Sequence, residues 1–176
     1  MSRDYPWYDV VHGEELEQGD LLVACPIITP APDLAFPLPD DYLPVEIDEY
    51  DVVVMTQSCD LANEKVTDVI VCPHWDIQTA GAMDPGLAKK GAVQQVLKGR
   101  FARYLMLAGS ADPELSTAVR IVDFGRIFSL PKRFLREFAA SQGKRLRLCP
   151  PYREHLAQGF ARFFMRVGLP QDIELS

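Results

Sequence analysis

Asp51-Val52-Val53-Val54-Met55-Thr56-Gln57-Ser58-Cys59-Asp60 is the stretch on which the fold turns. Val52 to Met55 form an unbroken apolar run, which reads as a strand buried on both faces rather than on one. Such a strand commonly ends in Gly, Asn or Pro. This one ends in five polar or reactive side chains, among them the chain's one Cys-Asp pair. That end suits a binding or catalytic site and suits a capped turn equally well, and the sequence leaves both open.

Working outward, Gly19-Asp20 opens a strand over 21–25, and the Val/Ile-rich run 67–72 reads as a second buried strand beside 51–56, joined to it by the Asp60–Lys65 turn. Six prolines lie between Pro26 and Pro44, together with Asp33, Asp40 and Asp41. Proline removes a backbone donor, so this span is expected to hold neither helix nor central strand and to form a long acidic surface loop. Asp84 as a cap, Pro85 at the first position and Gly99 past the end predict a helix over 86–98. Strands are expected over 101–107 and 118–124. Pro131 opens a helix that Gly143 stops, and Pro150-Pro151 opens a last one ending near Val167-Gly168. Between these helices, 144–148 alternates basic and apolar residues and predicts a half-exposed strand.

The predicted fold class is α+β: a small, strongly bent antiparallel sheet or barrel with two C-terminal helices. A chain of 176 residues, 48% hydrophobic, suits one domain. Its expected parts are an acidic N-terminal arm (1–18), a barrel-like core (19–128) interrupted by the proline-rich loop (26–44), and a helical C-terminal part (129–170). The aromatic cluster Tyr5, Trp7 and Tyr8 is expected to pack the arm down. No run approaches the roughly 18 apolar residues of a membrane span, and Met1 to Trp7 lacks a signal-peptide core. The expected location is the cytoplasm. Cys25, Cys59, Cys72 and Cys149 are widely spaced, and all but Cys59 precede proline at the end of an apolar segment, which reads as buried, reduced thiols.

The net charge of −7 conceals a split: residues 1–86 hold 18 Asp/Glu against 2 Lys/Arg, and residues 87–176 hold 7 against 16. Either the halves neutralise each other within one body, or opposite faces of the molecule orient it toward a charged partner.

The segments Gly19-Asp20-Leu21-Leu22-Val23, Val52-Val53-Val54-Met55-Thr56, Val69-Ile70-Val71-Cys72-Pro73 and Val122-Asp123-Phe124-Gly125-Arg126-Ile127 follow one another in an order that resembles the small β-barrel of PemK/MazF-type toxins. The resemblance spans roughly residues 19–140 and is one of pattern. It implies a barrel and RNA cleavage assisted by a basic residue between the first two strands. Here residues 27–50 contain no Lys, Arg or His, and an acidic loop repels phosphate. The segment Thr56 to Asp60 is also similar to one in uncharacterised bacterial proteins.

Cys59 as a nucleophile would need a base. The three histidines are His12, His74 and His155. His74 follows the 67–72 strand, so a Cys59–His74 pair oriented by Asp60 or Asp76 would make a workable dyad or triad. Against it stands a turn in which Ser58 and Asp60 bond the backbone while Cys59 fills a small gap. Cys25, Cys59, Cys72 and His74 have the donors of a tetrahedral zinc set, but their spacing is far wider than in zinc knuckles. No metal or other cofactor is therefore expected. On the last helix, His155, Arg162 and Arg166 share a stripe with Gly159 among them. With Thr56, Gln57 and Ser58 they are the candidate binding residues. Lys132, Arg133, Arg136, Lys144, Arg145 and Arg147 extend the basic surface.

The expected function is a non-enzymatic binding or accessory component of a bacterial cytoplasmic system, using its polarised surface on a protein partner. Nucleic acid is disfavoured by the acidic balance. The alternative is a toxin-like endoribonuclease or a Cys-dependent hydrolase centred on the Thr56–Asp60 turn.

Overall fold

The computed structural model describes residues 5–38, 41 and 43–165. In chain order the strands are β1 (Tyr8–His12), β2 (Leu21–Pro30), β3 (Val45–Val54), β4 (Asp68–Asp76), β5 (Tyr104–Leu107), β6 (Arg120–Asp123), β7 (Phe128–Pro131) and β8 (Lys144–Leu148). The helices are α1 (Ser58–Ala62), α2 (Ile77–Met83), α3 (Ala92–Leu97), α4 (Lys132–Ser141) and α5 (Tyr152–Phe164). Every pairing is antiparallel. The class is thus α+β with two C-terminal helices.

β4 is the centre. One edge pairs with β3, and the other pairs first with β7 and then with β6. The six-stranded sheet runs β2-β3-β4-β6-β5, with β7 beside β4, and β1 pairs with β8 separately. The sheet is not closed into the expected barrel: β2 and β5 are its edges. Both faces carry a core, as the continuous apolar run of β3 requires. Val52 and Val54 pack with Val69, Val71, Leu135 and Ala139 on one face. Val53 and Met55 pack with Cys72, Val122, Leu148 and Leu156 on the other. Ile70, expected to be buried, is partly exposed.

Several expected boundaries move. Within the expected N-terminal arm, residues 8–12 form strand β1, which pairs with β8 in register from Tyr8↔Leu148 to His12↔Lys144. The ring of Trp7 stacks on Tyr152 at 3.6 Å between centroids, and Tyr8 Oη donates to the Ala108 carbonyl at 2.6 Å. β8 is buried rather than half-exposed. The helical C-terminal part 129–170 therefore includes β8 and most of β7. The helix expected over 86–98 shrinks to α3 because Gly91, at φ 82°, breaks the run. Asp84 ends α2 instead of starting a helix, and its Oδ1 accepts from the Gly86 amide at 2.7 Å.

The largest correction concerns the proline-rich span. Residues 26–30 of the expected loop are not loop but one arm of a β-hairpin whose other arm is 45–50, paired from Pro26↔Glu49 to Pro30↔Val45. Prolines are tolerated here because β2 is an edge strand. The Ala31 amide donates to the Pro44 carbonyl at 3.3 Å. By the alternation of antiparallel pairs, residues 26, 28 and 30 then direct their backbone groups to the free edge, where proline's missing donor breaks no ladder bond. A bulge between Leu22 and Cys25, with Ala24 at φ 50°, separates this hairpin from the core of the sheet.

Candidate functional site

The Thr56–Asp60 turn is built by caps. Thr56 Oγ1 accepts from the Ile70 amide at 2.8 Å, and Ser58 Oγ accepts from the Gln18 amide at 3.1 Å. Gln18 Nε2 in turn donates to the Met55 carbonyl at 2.7 Å. Both hydroxyls thus satisfy backbone groups that the strand end would leave open. Gln57 and Cys59 stay exposed, and Asp60 faces Lys65 at 3.7 Å. Cys59 lines a groove of ≈ 550 Å³ with Ser58, Glu64, Lys132 and Arg136. Each of those cations is already paired: Lys132 with Glu64, and Arg136 with Glu14 at 2.7 Å.

His74 is elsewhere. In antiparallel strands the end of β3 lies beside the start of β4, so Met55 meets Ile70 while His74 comes level with Asp51. The register separates the levels of His74 and Ile70 by four residues, about 13 Å. Cys59 and His74 line different cavities, and the structure does not bring the expected dyad together. Cys59 Sγ instead lies near Gln57 Oε1 and Asp60 Oδ1.

His74 belongs to a buried polar chain that sequence reading did not find. Arg120 Nε donates to His74 Nδ1 at 3.0 Å, Arg120 Nη2 donates to Asp51 Oδ2, and Asp51 Oδ1 accepts from the Ala24 amide at 3.0 Å. The only sequence signal was a charged residue at the start of each apolar strand, Asp51 and Arg120. Because Nδ1 accepts, the proton of the neutral ring sits on Nε2, which is buried without a partner. Burial, then the Arg120 charge, push the imidazole down to about 3. A ring so weakly basic is a poor general base near neutral pH. Asp51, His74 and Arg120 line a cleft of ≈ 330 Å³ with Leu21, Leu115 and Leu146.

The cysteines do not converge either. Cys25 and Cys72 belong to cores on opposite faces of the sheet, and Cys59 is exposed. Burial pushes the thiols of Cys25 and Cys72 up to about 11 and about 12. Among the described residues no group of three or more His, Cys, Asp or Glu is placed to hold a metal ion.

On α5, His155 and Arg162 are exposed and line a cavity of ≈ 230 Å³ with Phe101, Tyr104 and Gly159. Arg166 lies outside the described residues. The low relief of Gly159 serves this chain's own packing: a Cβ there would meet Phe124 Cε2 at 3.1 Å.

The charge split resolves in part within the chain. Asp20, wholly buried, accepts from Arg145 Nε at 3.0 Å and from Arg147 Nη2 at 2.9 Å. Glu17 takes Arg147 at 2.6 Å and Arg153 at 2.8 Å, and Glu114 takes Lys144. Arg145, expected on a basic surface, is buried. The acids of the β2–β3 hairpin form the longest described run without such pairing, alongside isolated acids such as Asp9 and Asp68. Among the described residues Asp33, Asp41, Glu46, Asp48 and Glu49 make no ion pair, and all are exposed. The alternation Val45-Glu46-Ile47-Asp48 is a local signal for this hairpin that the expected strand boundaries did not use. No protein-family model matches the chain, and no curated protein is significantly similar to it in sequence.

Proposed function

We propose that this chain is a non-enzymatic binding or accessory component that holds a protein partner through its acidic face, in the bacterial cytoplasmic setting suggested by the sequence. The observation that carries the reading is the residue of charge left after internal pairing. Six of the sixteen Lys/Arg of the C-terminal half are held in ion pairs with residues 14–64, whereas the exposed hairpin acids have no ion pair among the described residues. Exposed charge without an internal complement steers association and selects partners more than it stabilises a fold. The described residues contain no helix long and apolar enough to cross a membrane.

The test is affinity purification of the tagged chain from its host at low salt, with mass spectrometry of what co-elutes. A stoichiometric protein that leaves as salt is raised is expected, since the Debye length falls to about 3 Å at 1 M. Filter binding to RNA and DNA provides the contrast. Tight nucleic-acid binding that Arg162→Glu abolishes with folding intact would overturn the reading, and would favour the rival one of a PemK/MazF-like endoribonuclease.

A further inference from the structure

The β2–β3 hairpin has two unlike faces. Cys25 and Ile27 point into the core beneath α4 and are buried. The paired residues Pro26↔Glu49, Ile28↔Ile47 and Pro30↔Val45 share the other face. There Ile28 and Ile47 are each 64% exposed and Val45 is 46% exposed. Beyond the strands the described tip adds Phe36, Leu38 and Leu43, also exposed. Exposed apolar side chains scattered singly need no explanation, but a contiguous set on one face of a ribbon marks an interaction surface. Acids surround it: residues 27–50 hold six Asp/Glu and no Lys, Arg or His.

We infer that this face docks into an apolar groove rimmed by Lys and Arg on a partner protein, an assignment that rests on the binding-component reading above. Charge decides the occupant. A second copy laid face to face would set the Glu49 carboxylates, which share this face with Ile28 and Ile47, against each other within an acidic ribbon that offers no cation to neutralise them, and like charges in an interface are costly. Nucleic acid and anionic lipid are repelled for the same reason. A basic, apolar protein surface meets both components of the patch. The mode of contact also follows from the strand. Two of the three outward edge positions, 26 and 30, are proline and present no donor, so a partner strand cannot extend the sheet there. Side chains rather than backbone ladders make the contact, with Ile28 and Ile47 at its centre.

The probe is a short labelled peptide alternating Leu and Lys, titrated into the whole chain, with an alternating Leu and Glu peptide beside it. The expected result is saturable, salt-sensitive binding of the Lys peptide alone, with amide shift changes confined to residues 26–30 and 45–50. The Ile28→Ser, Ile47→Ser double variant should weaken it about tenfold or more, as loss of central apolar anchors does. Both residues are exposed, so the variant should melt like wild type, and Glu49→Lys, on the same face, gives a second, charge-based check. Lys-peptide binding that is absent or indifferent to these changes overturns the inference. So does a concentration-dependent dimer that the double variant abolishes, which would give the face to a second copy. If the host partner is retained by wild type and double variant alike, the binding reading stands and the hairpin assignment fails. If the peptide binds the hairpin but no host protein does, the wider reading is the one that fails.

Discussion

Substituting Asp20 by Ala should be among the most damaging single changes in the molecule. Its carboxylate is wholly inaccessible and is, among the described residues, the only acid paired with Arg145, which is 2% exposed. The remaining Arg145 bonds go to the carbonyls of Gly13 and Glu15, the former at 2.7 Å. Carbonyl dipoles do not neutralise a charge, so the variant strands a guanidinium in the interior. Breaking one side of a buried pair typically costs about 3–5 kcal/mol. At about 2–4 °C per kcal/mol for a chain of this size, the melting temperature should fall by roughly 6–20 °C. Arg147 adds little to this figure, because Glu17 remains to pair with it. Chemical denaturation with an unchanged slope would measure the loss directly. Replacing the pair together, Asp20→Leu with Arg145→Met, should recover most of it, since apolar residues of similar volume can substitute for a buried pair. A loss below about 1 kcal/mol for the single variant would refute the argument that this pair is truly desolvated.

Three further outcomes are expected. Val53→Asp puts an unpaired charge among Met55, Cys72 and Val122 and should cost several kcal/mol, so wild-type-like melting would show the β3 assignment to be wrong. His74 has a folded-state pKa of about 3 against an unfolded value near 6.5, so the unfolded chain binds the extra proton between these limits. Its contribution is therefore complete above about pH 6.5 and is lost as pH falls toward 3, at up to about 1.4 kcal/mol per unit; stability measured across this window should fall less steeply in His74→Gln, and an unchanged slope would show that His74 does not contribute. Replacing 32–43 by a tight Asn-Gly connection should alter stability by about 1 kcal/mol or less, because closure entropy changes slowly with length. Failure of that variant to fold would make the hairpin tip part of the core.

The central strands were legible because an apolar run such as Val52 to Met55 is interpretable only as a segment buried on both sides. The limits of α4 and the start of α5 were legible because Pro131, Gly143 and Pro150-Pro151 act locally, through the backbone of their own neighbours, while the expected end of the last helix near Val167-Gly168 lies outside the described residues. Local signals also misled. The six prolines between 26 and 44 did not prevent β2 from running to Pro30, because an edge strand requires donors on one side only, and which strand is the edge is a property of the whole sheet. The reach of Cys59 to His74 depended on the sense of the β3–β4 pairing. The antiparallel sense was expected, and it sets Met55 beside Ile70 and His74 beside Asp51, so the two residues lie apart. The same holds for charge. The sequence by itself determined that an acidic half and a basic half would have to be reconciled. Only the tertiary structure decided that Asp20 and Glu17 take up Arg145 and Arg147 within the same chain, while Glu46, Asp48 and Glu49 have no ion pair among the described residues. Pairing of charges depends on distances between residues more than a hundred positions apart, and those distances exist only once the chain has folded.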